Sequence, residues 1–245
     1  MPKKFVGCAR CSDLGGYYTA HLEDGEEIVK KCRCLKIYEK ETSLTQAVDK
    51  AGLPKIVDGY TISDYIGKDT NDNLPKIKKY IDEFKDRYQG KSLYIYGPYG
   101  TQKTTVVCWM AKRAIGIGIS VTYDTMNNLV SKLVDKADFQ KKDSVDISQY
   151  ENVDLLILDE AFDKNKMLWY ASNYQMPFLD SFLRNRLEVE NKSIVFVSNT
   201  PPEEISSKFD RGLQDLIIRN TSGGWLHFED HYSIKDNFDP NDMWR

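Results

Sequence analysis

The hydrophobic and polar residues of this chain form short apolar runs that alternate with longer stretches of helical spacing. The apolar run 92–96 is followed, after a Gly-containing segment, by Val106, Val107, Met110, Ala111 and Ala114. The run predicts a β-strand, and recurrence at three or four residues predicts a helix. Further apolar runs at 118–123, 153–158, 193–197 and 223–228 predict four more strands. The pattern therefore predicts an α/β domain.

Helical spacing also appears before and after these first strands. Residues Ile77, Ile81, Phe84 and Tyr88 predict a helix before the run 92–96, and the apolar spacing over 126–133 predicts another. The polar segment 135–152 is expected to loop outward. Upstream, a helical pattern over 35–51 is ended by Gly52-Leu53-Pro54. We place the domain boundary there, which divides the chain into residues 1–50 and 51–245.

A candidate phosphate-binding loop, Gly97-Pro98-Tyr99-Gly100-Thr101-Gln102-Lys103-Thr104, connects the strand at 92–96 to its helix. Backbone N–H groups of such a loop, with the helix N-terminus, form a cradle for polyphosphate. Lys103 is predicted to reach the β- and γ-phosphates, and Thr104 to place its hydroxyl on Mg²⁺. Gln102 departs from the motif G-x-x-x-x-G-K-[ST], which has Gly before the lysine. A plain strand-turn-helix is the alternative.

Acidic residues end the most apolar of the runs, Val153 to Leu158, at Asp159 and Glu160. A strand buried on both faces of a parallel sheet has this composition, and such sheets bind ligands at the carboxyl ends of their strands. Asp159 is therefore predicted to hold Mg²⁺ opposite Thr104, and Glu160 to activate the water that attacks the γ-phosphate. The predicted nucleotide-binding residues are Gly97, Tyr99, Gly100, Thr101, Gln102, Lys103, Thr104, Thr105 and Asp159.

The run 193–197 is followed by Ser198 and Asn199, and then by Pro201 and Pro202. If this strand lies beside the other two, Asn199 contacts the attacking water or the γ-phosphate. Alternatively, Asn199 caps the short helix that Pro201 begins. The residues themselves leave both interpretations open.

Four of the five cysteines lie near the N-terminus, at Cys8, Cys11, Cys32 and Cys34. Paired thiolates from two turns can complete a tetrahedral all-sulfur zinc shell, although the second pair has the less common C-x-C spacing. The stretch between the pairs resembles a hairpin that brings the second pair back. The sequence therefore predicts a Zn²⁺ site, and the alternative is two accidental cysteine pairs. The fifth cysteine, Cys108, is expected to be a buried apolar residue.

Composition adds limits to this interpretation. The chain has 245 residues, a net charge of −3 and 41% hydrophobic residues. It has no long apolar run and no signal-peptide pattern, so we expect a soluble cytoplasmic protein that does not bind membranes. The slightly acidic balance excludes binding of nucleic acid through overall basicity and leaves room for a local basic groove.

Taken together, the cysteine knuckle, the phosphate loop, the Asp159-Glu160 strand end and the Asn199 strand end resemble the bacterial and phage helicase loaders of the DnaC and DnaI type. These are AAA+ ATPases related to the transposition helper IstB. The resemblance extends from Cys8 to about Phe228. It implies a five-stranded parallel sheet with the Asn199 strand between the other two, no C-terminal helical lid, and ATP as the nucleotide. It also favours the sensor role for Asn199.

The resemblance further implies roles that the residues alone do not establish. Arg219, or failing that Arg211, resembles the arginine finger that reaches the ATP of a neighbouring subunit, which implies self-association through the ATP sites. Thr122, Tyr123 and Lys132 correspond to a channel for single-stranded DNA, although ordinary strand packing would equally explain Tyr123. The zinc unit would grip a hexameric replicative helicase. A slow ATPase, stimulated by DNA or partner, is expected.

Two other functions compete with that of a helicase loader. A transposition helper acts on duplex DNA and usually carries a basic N-terminal helical domain, whereas residues 1–50 are near neutral and contain cysteines. A non-hydrolysing adaptor or inhibitor of the helicase would fit Gln102. The presence of Lys103, Asp159 and Glu160 argues against such a decayed site.

Overall fold

The computed structural model describes residues 5–11, 15–21, 26–55, 62–65, 69, 71–138, 145–163, 175–207 and 211–229. By their internal contacts, the residues fall into two units, 1–50 and 51–245. The first unit contains β1 (Tyr17–His21), β2 (Glu27–Lys31) and α1 (Arg33–Lys50).

In the first unit, β1 and β2 form the antiparallel hairpin predicted between the cysteine pairs. Tyr17 lies opposite Lys31, so the end of β2 returns to the start of β1. The backbone N–H of Cys32 then donates to the carbonyl of Gly16 at 2.8 Å. The hairpin therefore brings the second cysteine pair back to the first.

The second unit contains the predicted strands and helices in the predicted order, and two helices, at 148–151 and 176–184, that the sequence pattern did not predict. These are α2 (Asn73–Asp82), β3 (Leu93–Tyr96), α3 (Lys103–Gly116), β4 (Val121–Thr125), α4 (Met126–Ala137), α5 (Ser148–Glu151), β5 (Leu155–Asp159), α6 (Met176–Arg184), β6 (Ser193–Ser198), α7 (Arg211–Thr221) and β7 (Trp225–His227). Short 3₁₀ helices cover Ile62–Asp64 and Pro202–Ser207, and π-helical turns cover Phe84–Tyr88 and Asn185–Val189.

The five strands form one parallel sheet in the order β4-β5-β6-β3-β7. The implied position of β6 between β3 and β5 is confirmed. In the pairing register, Tyr96 lies opposite Ser198 and Thr125 lies opposite Asp159. Because parallel strands end at the same edge, Asp159, Asn199 and Gly97 are placed along one edge of the sheet.

The interior strands β5 and β6 are buried along their whole length, which explains their apolar composition. The predicted apolar positions of α3 are all buried, as are Met126, Leu129, Val130 and Leu133 of α4. Cys108 is 1% exposed within α3, as expected for an apolar residue. Helices cover the sheet and hold the edge that carries the polar residues.

A buried arginine, Arg186, fixes the opposite edge of the sheet, where the strands begin. Its side chain is 1% exposed, and its guanidinium donates to the carbonyls of Tyr150 (2.6 Å), Val153 (2.8 Å) and Ser193 (3.1 Å). These carbonyls precede β5 and start β6, so Arg186 ties together the two strands that carry Asp159 and Asn199.

The prediction of an outward polar loop over 135–152 is wrong for part of this segment. Ile147 and Tyr150 are 4% and 0% exposed and belong to the hydrophobic core, with Tyr150 in α5. Residues 139–144 lie outside the described part of the chain. Because two polar residues separate Ile147 from Tyr150, the sequence pattern did not indicate this single buried helical turn.

In the described residues, no helix is both long and apolar enough to cross a bilayer. The expected absence of a C-terminal lid concerns residues 230–245, which the structure does not describe.

Candidate nucleotide site and metal centre

The loop between β3 and α3 has the backbone that a phosphate cradle needs. Gly97 has φ +149°, and a Cβ added there would lie 2.0 Å from the carbonyl oxygen of Phe228. Only glycine fits between the loop and the chain that leaves β7. Gly100 has φ +82°, also in the region that favours glycine. Helix α3 begins at Lys103, directly after the loop, and the N-terminal N–H groups of a helix in this position suit a bound phosphate.

Gln102 occupies the position where the motif has glycine, and its backbone is in the left-handed region with φ +62°. A side chain in this conformation is strained, because Cβ approaches the following carbonyl. The glutamine that replaces the glycine of the motif therefore also adds conformational strain to the backbone. The loop keeps the conformation that glycine would adopt although glutamine stands there.

Lys103 is the buried cation of the site. The residue is only 7% exposed. Its Nζ donates to the carbonyls of Gly97 and Pro98 at 2.8 Å and to Oγ1 of Thr101 at 3.2 Å. Burial lowers the pKa of the Lys103 ammonium to about 8, and the nearby carboxylates of Asp159 and Asp163 oppose that shift. The amino group lies within the loop that it is predicted to serve.

Thr104 and Asp159 come together as predicted for a pair of magnesium ligands. Oγ1 of Thr104 donates to Oδ2 of Asp159 at 2.8 Å, which joins the first turn of α3 to the end of β5. A hydroxyl and a carboxylate are hard oxygen ligands of the kind Mg²⁺ prefers, so these two residues fit the metal. Thr105 follows in the same turn and is half-buried.

Tyr123 reaches the same carboxylate from the neighbouring strand β4. Its hydroxyl donates to Oδ2 of Asp159 at 2.6 Å, and the residue is 8% exposed. Burial, together with the charge of Asp159, raises the pKa of Tyr123 well above its ordinary value, so the hydroxyl stays a donor. This position leaves little ring surface for stacking on a base and places Tyr123 beside the magnesium ligand instead.

Glu160 follows in a left-handed turn with φ +54°. Its backbone N–H donates to Oδ1 of Asp159 at 2.7 Å, and the next N–H, of Ala161, donates to the carbonyl of Val197 at 2.8 Å. The turn after β5 is thus held against the end of β6. Glu160 itself is half-buried at the edge of the sheet where the loop 97–102 lies.

Asn199 lies at this same edge and contacts an acid that sequence reasoning did not identify. Nδ2 of Asn199 donates to Oδ2 of Asp163 at 3.1 Å, and the hydroxyl of Tyr99 donates to the same oxygen at 2.6 Å. Asp163 is 2% exposed. The only sequence signal for it is a carboxylate four residues beyond Asp159, in a segment with no regular period.

Two of the residues predicted to contact single-stranded DNA, Thr122 and Lys132, lie away from the phosphate loop residues described above and bond to other parts of the domain. Thr122 is 6% exposed and its hydroxyl donates to the carbonyl of Gln149. Lys132 donates to the hydroxyl of Tyr150 at 2.5 Å and lies 3.6 Å from a carboxylate oxygen of Asp124. These two candidate DNA contacts therefore take part in hydrogen bonds within the domain.

Arg219 is exposed near the end of α7 and pairs with Glu188 at 2.7 Å. Arg211 is the first residue of the same helix and is also exposed. Because α7 leads into the start of β7, Arg219 lies at the edge where the strands begin, away from the phosphate loop. It is therefore unavailable to the nucleotide site of its own chain.

The four N-terminal cysteines form one cluster within their unit. Their Sγ atoms all lie within 4.8 Å of one another, with distances of 3.6 Å for Cys8 to Cys11, 3.6 Å for Cys8 to Cys32 and 3.2 Å for Cys11 to Cys34. A tetrahedral zinc site with Zn–S bonds of about 2.3 Å separates its sulfurs by about 3.8 Å. The donor set and spacing therefore fit a tetrahedral metal ion such as Zn²⁺.

Comparison with known proteins identifies the domain that holds the nucleotide site. The sequence model of the family described as IstB-like ATP binding protein matches residues 76–219, which is more than half of the chain. The chain belongs to this family. The matched range includes the loop at 97–104, Asp159, Glu160 and Asn199, so the IstB-like domain is an ATP-binding domain.

Curated relatives of this IstB-like chain are replication initiators. The chromosomal replication initiator protein DnaA of Aquifex aeolicus (strain VF5) is 25% identical over 204 residues, covering 82% of this chain and 46% of the relative. DnaA of Campylobacter jejuni subsp. jejuni serotype O:23/36 (strain 81-176) is 23% identical over 222 residues, covering 86% and 48%. The chain thus spans about half the length of these relatives.

Solved structures share the fold. The DnaC helicase loader superposes with a TM-score of 0.60 at 18% identity, covering 71% of this chain and 99% of that one. DnaI gives 0.56 at 15% identity, covering 72% and 92%. DnaA bound to AMPPCP and single-stranded DNA gives 0.54 at 19% identity, covering 73% and 51%. At these identities the likeness establishes the AAA+ P-loop fold of the IstB-like domain.

Proposed function

We propose that this protein is an ATP-dependent helicase loader, which binds a hexameric replicative DNA helicase and assists its placement on single-stranded DNA. The observation that carries the proposal is the pairing, in one chain, of a well-formed ATP site with a four-cysteine unit that exposes apolar side chains. The likeness of the ATP-binding domain to DnaC and DnaI supports it, since DnaC is a helicase loader.

The positions of the residues in the ATP site suit the steps of ATP hydrolysis. Lys103 binds the β- and γ-phosphates, and Thr104 with Asp159 would hold Mg²⁺, which would neutralise part of the phosphate charge. Glu160 orients the attacking water and accepts its proton, while Asn199 contacts that water or the γ-phosphate. A glutamine in a strained backbone before the lysine suits a slow switch more than a fast motor.

The N-terminal unit supports a docking role. Among the described residues of this unit, four large apolar side chains are exposed: Val6 (82%), Tyr17 (42%), Val29 (71%) and Ile37 (47%). These side chains are the candidate contacts with the helicase, since exposed apolar surface is what protein-binding sites present. Zn²⁺ held by the cysteines would fix the hairpin that carries Val29, because a knuckle of this size has too small a core to fold without metal.

Two alternative functions would give different results in the binding experiment described below. The family name favours a transposition helper, which would bind duplex DNA without a helicase. An adaptor that binds the helicase and ATP without turnover would fit the strained Gln102. Hydrolysis that accompanies helicase binding separates the loader from both.

The deciding experiment is co-purification with the host's replicative helicase, with and without ATP. The double variant Val6→Asp/Val29→Asp should lose helicase binding and keep ATP binding. The matched control is Val189→Asp, since Val189 is equally exposed (75%) in the ATP-binding domain. Failure of the wild-type protein to bind the helicase, or binding that survives in the double variant, would contradict the proposed docking role.

Metal content tests the knuckle separately. Purified protein should contain close to one Zn²⁺ per chain by elemental analysis, and Cys32→Ser/Cys34→Ser should lose it. The variant should also lose helicase binding while the ATP-binding domain keeps its affinity for ATP. Purified wild-type protein without zinc would overturn the metal assignment.

A further inference from the structure

Asp163 is a buried carboxylate whose hydrogen bonds join two parts of the ATP site. It lies in the turn beyond β5, between Phe162, with φ +54°, and the undescribed segment that follows. Its Oδ2 accepts from Tyr99 of the phosphate loop and from Asn199 at the end of β6. A carboxylate that is 2% exposed is stable only with donors of this kind.

We infer that Asp163 is a positioning residue for ATP hydrolysis, which fixes the orientation of the Asn199 amide and ties the phosphate loop to the end of β5 through Tyr99. The inference rests on the proposed ATPase function. It assigns to Asp163 a role that neither the loop motif nor the strand-end motif contains.

The chemistry of the two groups decides the orientation of the amide. An ionised carboxylate accepts hydrogen bonds and cannot donate, so Asn199 must direct its NH₂ group to Asp163. The carbonyl Oδ1 of Asn199 lies on the opposite side of the amide group and therefore points away from Asp163. In that orientation Asn199 presents an acceptor, suited to a hydrogen of the attacking water, and keeps one N–H for a phosphate oxygen.

The position of the donors argues against a role in folding alone. Both come from segments that carry the nucleotide chemistry, the loop 97–102 and the end of β6. Asp163 also acts on the buried cation of the site, because its charge supports the protonated form of Lys103. A displacement of about 1 Å in a group that orients the reacting water can reduce the rate about a hundredfold.

Asp163→Ala is the test, with Asp154→Ala as its matched control. Asp154 precedes β5 at the opposite edge of the sheet, where its carboxylate accepts from the backbone N–H (2.9 Å) and hydroxyl (2.6 Å) of Ser120. Asp163→Ala should lower kcat for ATP at least about tenfold and leave the Kd for ADP within about threefold, because ADP lacks the γ-phosphate. Asp154→Ala should change neither.

Two further measurements separate positioning from structure. Asp163→Asn should recover much of kcat, since its amide oxygen can still accept from Asn199. Asp163→Ala/Asn199→Ala should be no slower than the slower single variant, because residues that act as a unit are not additive. Multiplied effects, an unchanged kcat in Asp163→Ala, or an equal loss of ADP affinity would overturn the inference.

A nucleotide-independent measurement distinguishes failure of the inference from failure of the proposed function. The side-chain amide of Asn199, assigned in a ¹H–¹⁵N spectrum by its loss in Asn199→Ala, should shift in Asp163→Ala and stay unchanged in Asp154→Ala. An unshifted amide overturns the inference alone. A shifted amide in a protein that does not hydrolyse ATP upholds the contact and overturns the ATPase function, and the catalytic role of Asp163 with it.

Discussion

The strained backbone of Gln102 gives the sharpest prediction of a change in stability. At φ +62°, a residue with a Cβ costs roughly 1–2 kcal/mol relative to its ordinary conformations. Glycine does not have this cost, but it loses more conformational entropy on folding, worth roughly 0.5–1 kcal/mol. Gln102→Gly should therefore be more stable than Gln102→Ala by about 0.5–1 kcal/mol.

The Ala and Gly variants are compared with each other because both remove the contacts of the glutamine side chain. Gln89 supplies the matched site, since it is an exposed glutamine with φ −58°. There the order should reverse, and Gln89→Gly should be less stable than Gln89→Ala by about 0.5–1 kcal/mol. The two sites should thus differ by about 1–2 kcal/mol in the effect of the same change.

Urea denaturation without nucleotide measures these differences, and thermal denaturation checks them. A domain of this size shifts its Tm by about 2–4 °C per kcal/mol, so Gly and Ala at position 102 should differ by a measurable few degrees. If glycine is the less stable residue at both sites, the left-handed strain assigned to Gln102 is refuted. The same Gln102→Gly variant should hydrolyse ATP faster than wild type, and an unchanged or lower rate would count against the switch interpretation.

The remaining predictions concern the chemistry of the ATP site. Lys103→Ala should abolish ATP binding, while Glu160→Gln should bind ATP and stop turnover; if both behave like wild type in binding and hydrolysis assays, the site is assigned wrongly. Because the charged form of Lys103 binds phosphate and its pKa is lowered to about 8, ATP affinity should be flat below that pH. It should fall about tenfold between about pH 7 and pH 9, and Lys103→Arg should show no such fall; equal profiles would contradict the assigned charge. Mixed Arg219→Ala and Glu160→Gln subunits should regain some ATPase activity if Arg219 acts in trans, and no rescue in any mixture would exclude this.

The sequence predicted the strands and the edge of the sheet where the site lies because both depend on local patterns. A strand buried on both faces must be apolar throughout, so β5 was visible as a run that ends in Asp159. The phosphate loop was visible because Gly97 has no room for a Cβ and Lys103 follows at fixed spacing. Its departure at Gln102 was visible too, although the left-handed backbone was not.

Residues that act through long-range contacts could not be predicted in this way. Asp163 follows a turn of two left-handed residues, Glu160 and Phe162, and no period indicates where such a turn directs its side chains. Arg186 has the local sequence of a surface residue in a helix, yet four backbone carbonyls accept from its buried guanidinium. For Tyr123, the apolar run predicted a strand but could not indicate its hydrogen-bond partner Asp159.

The two arginines of α7 lie near opposite ends of the helix, which restricts what each can do. Eight residues along a helix span about 12 Å, so Arg211 lies toward the edge of the phosphate loop and Arg219 toward the other edge. The exposed ion pair of Arg219 with Glu188 is worth at most about 1 kcal/mol, so we expect Arg219→Ala to keep the fold. A loss of ATPase activity in Arg219→Ala therefore cannot come from unfolding or from the site of the same chain. It would require a neighbouring subunit, and with it the self-association that a trans-acting finger implies.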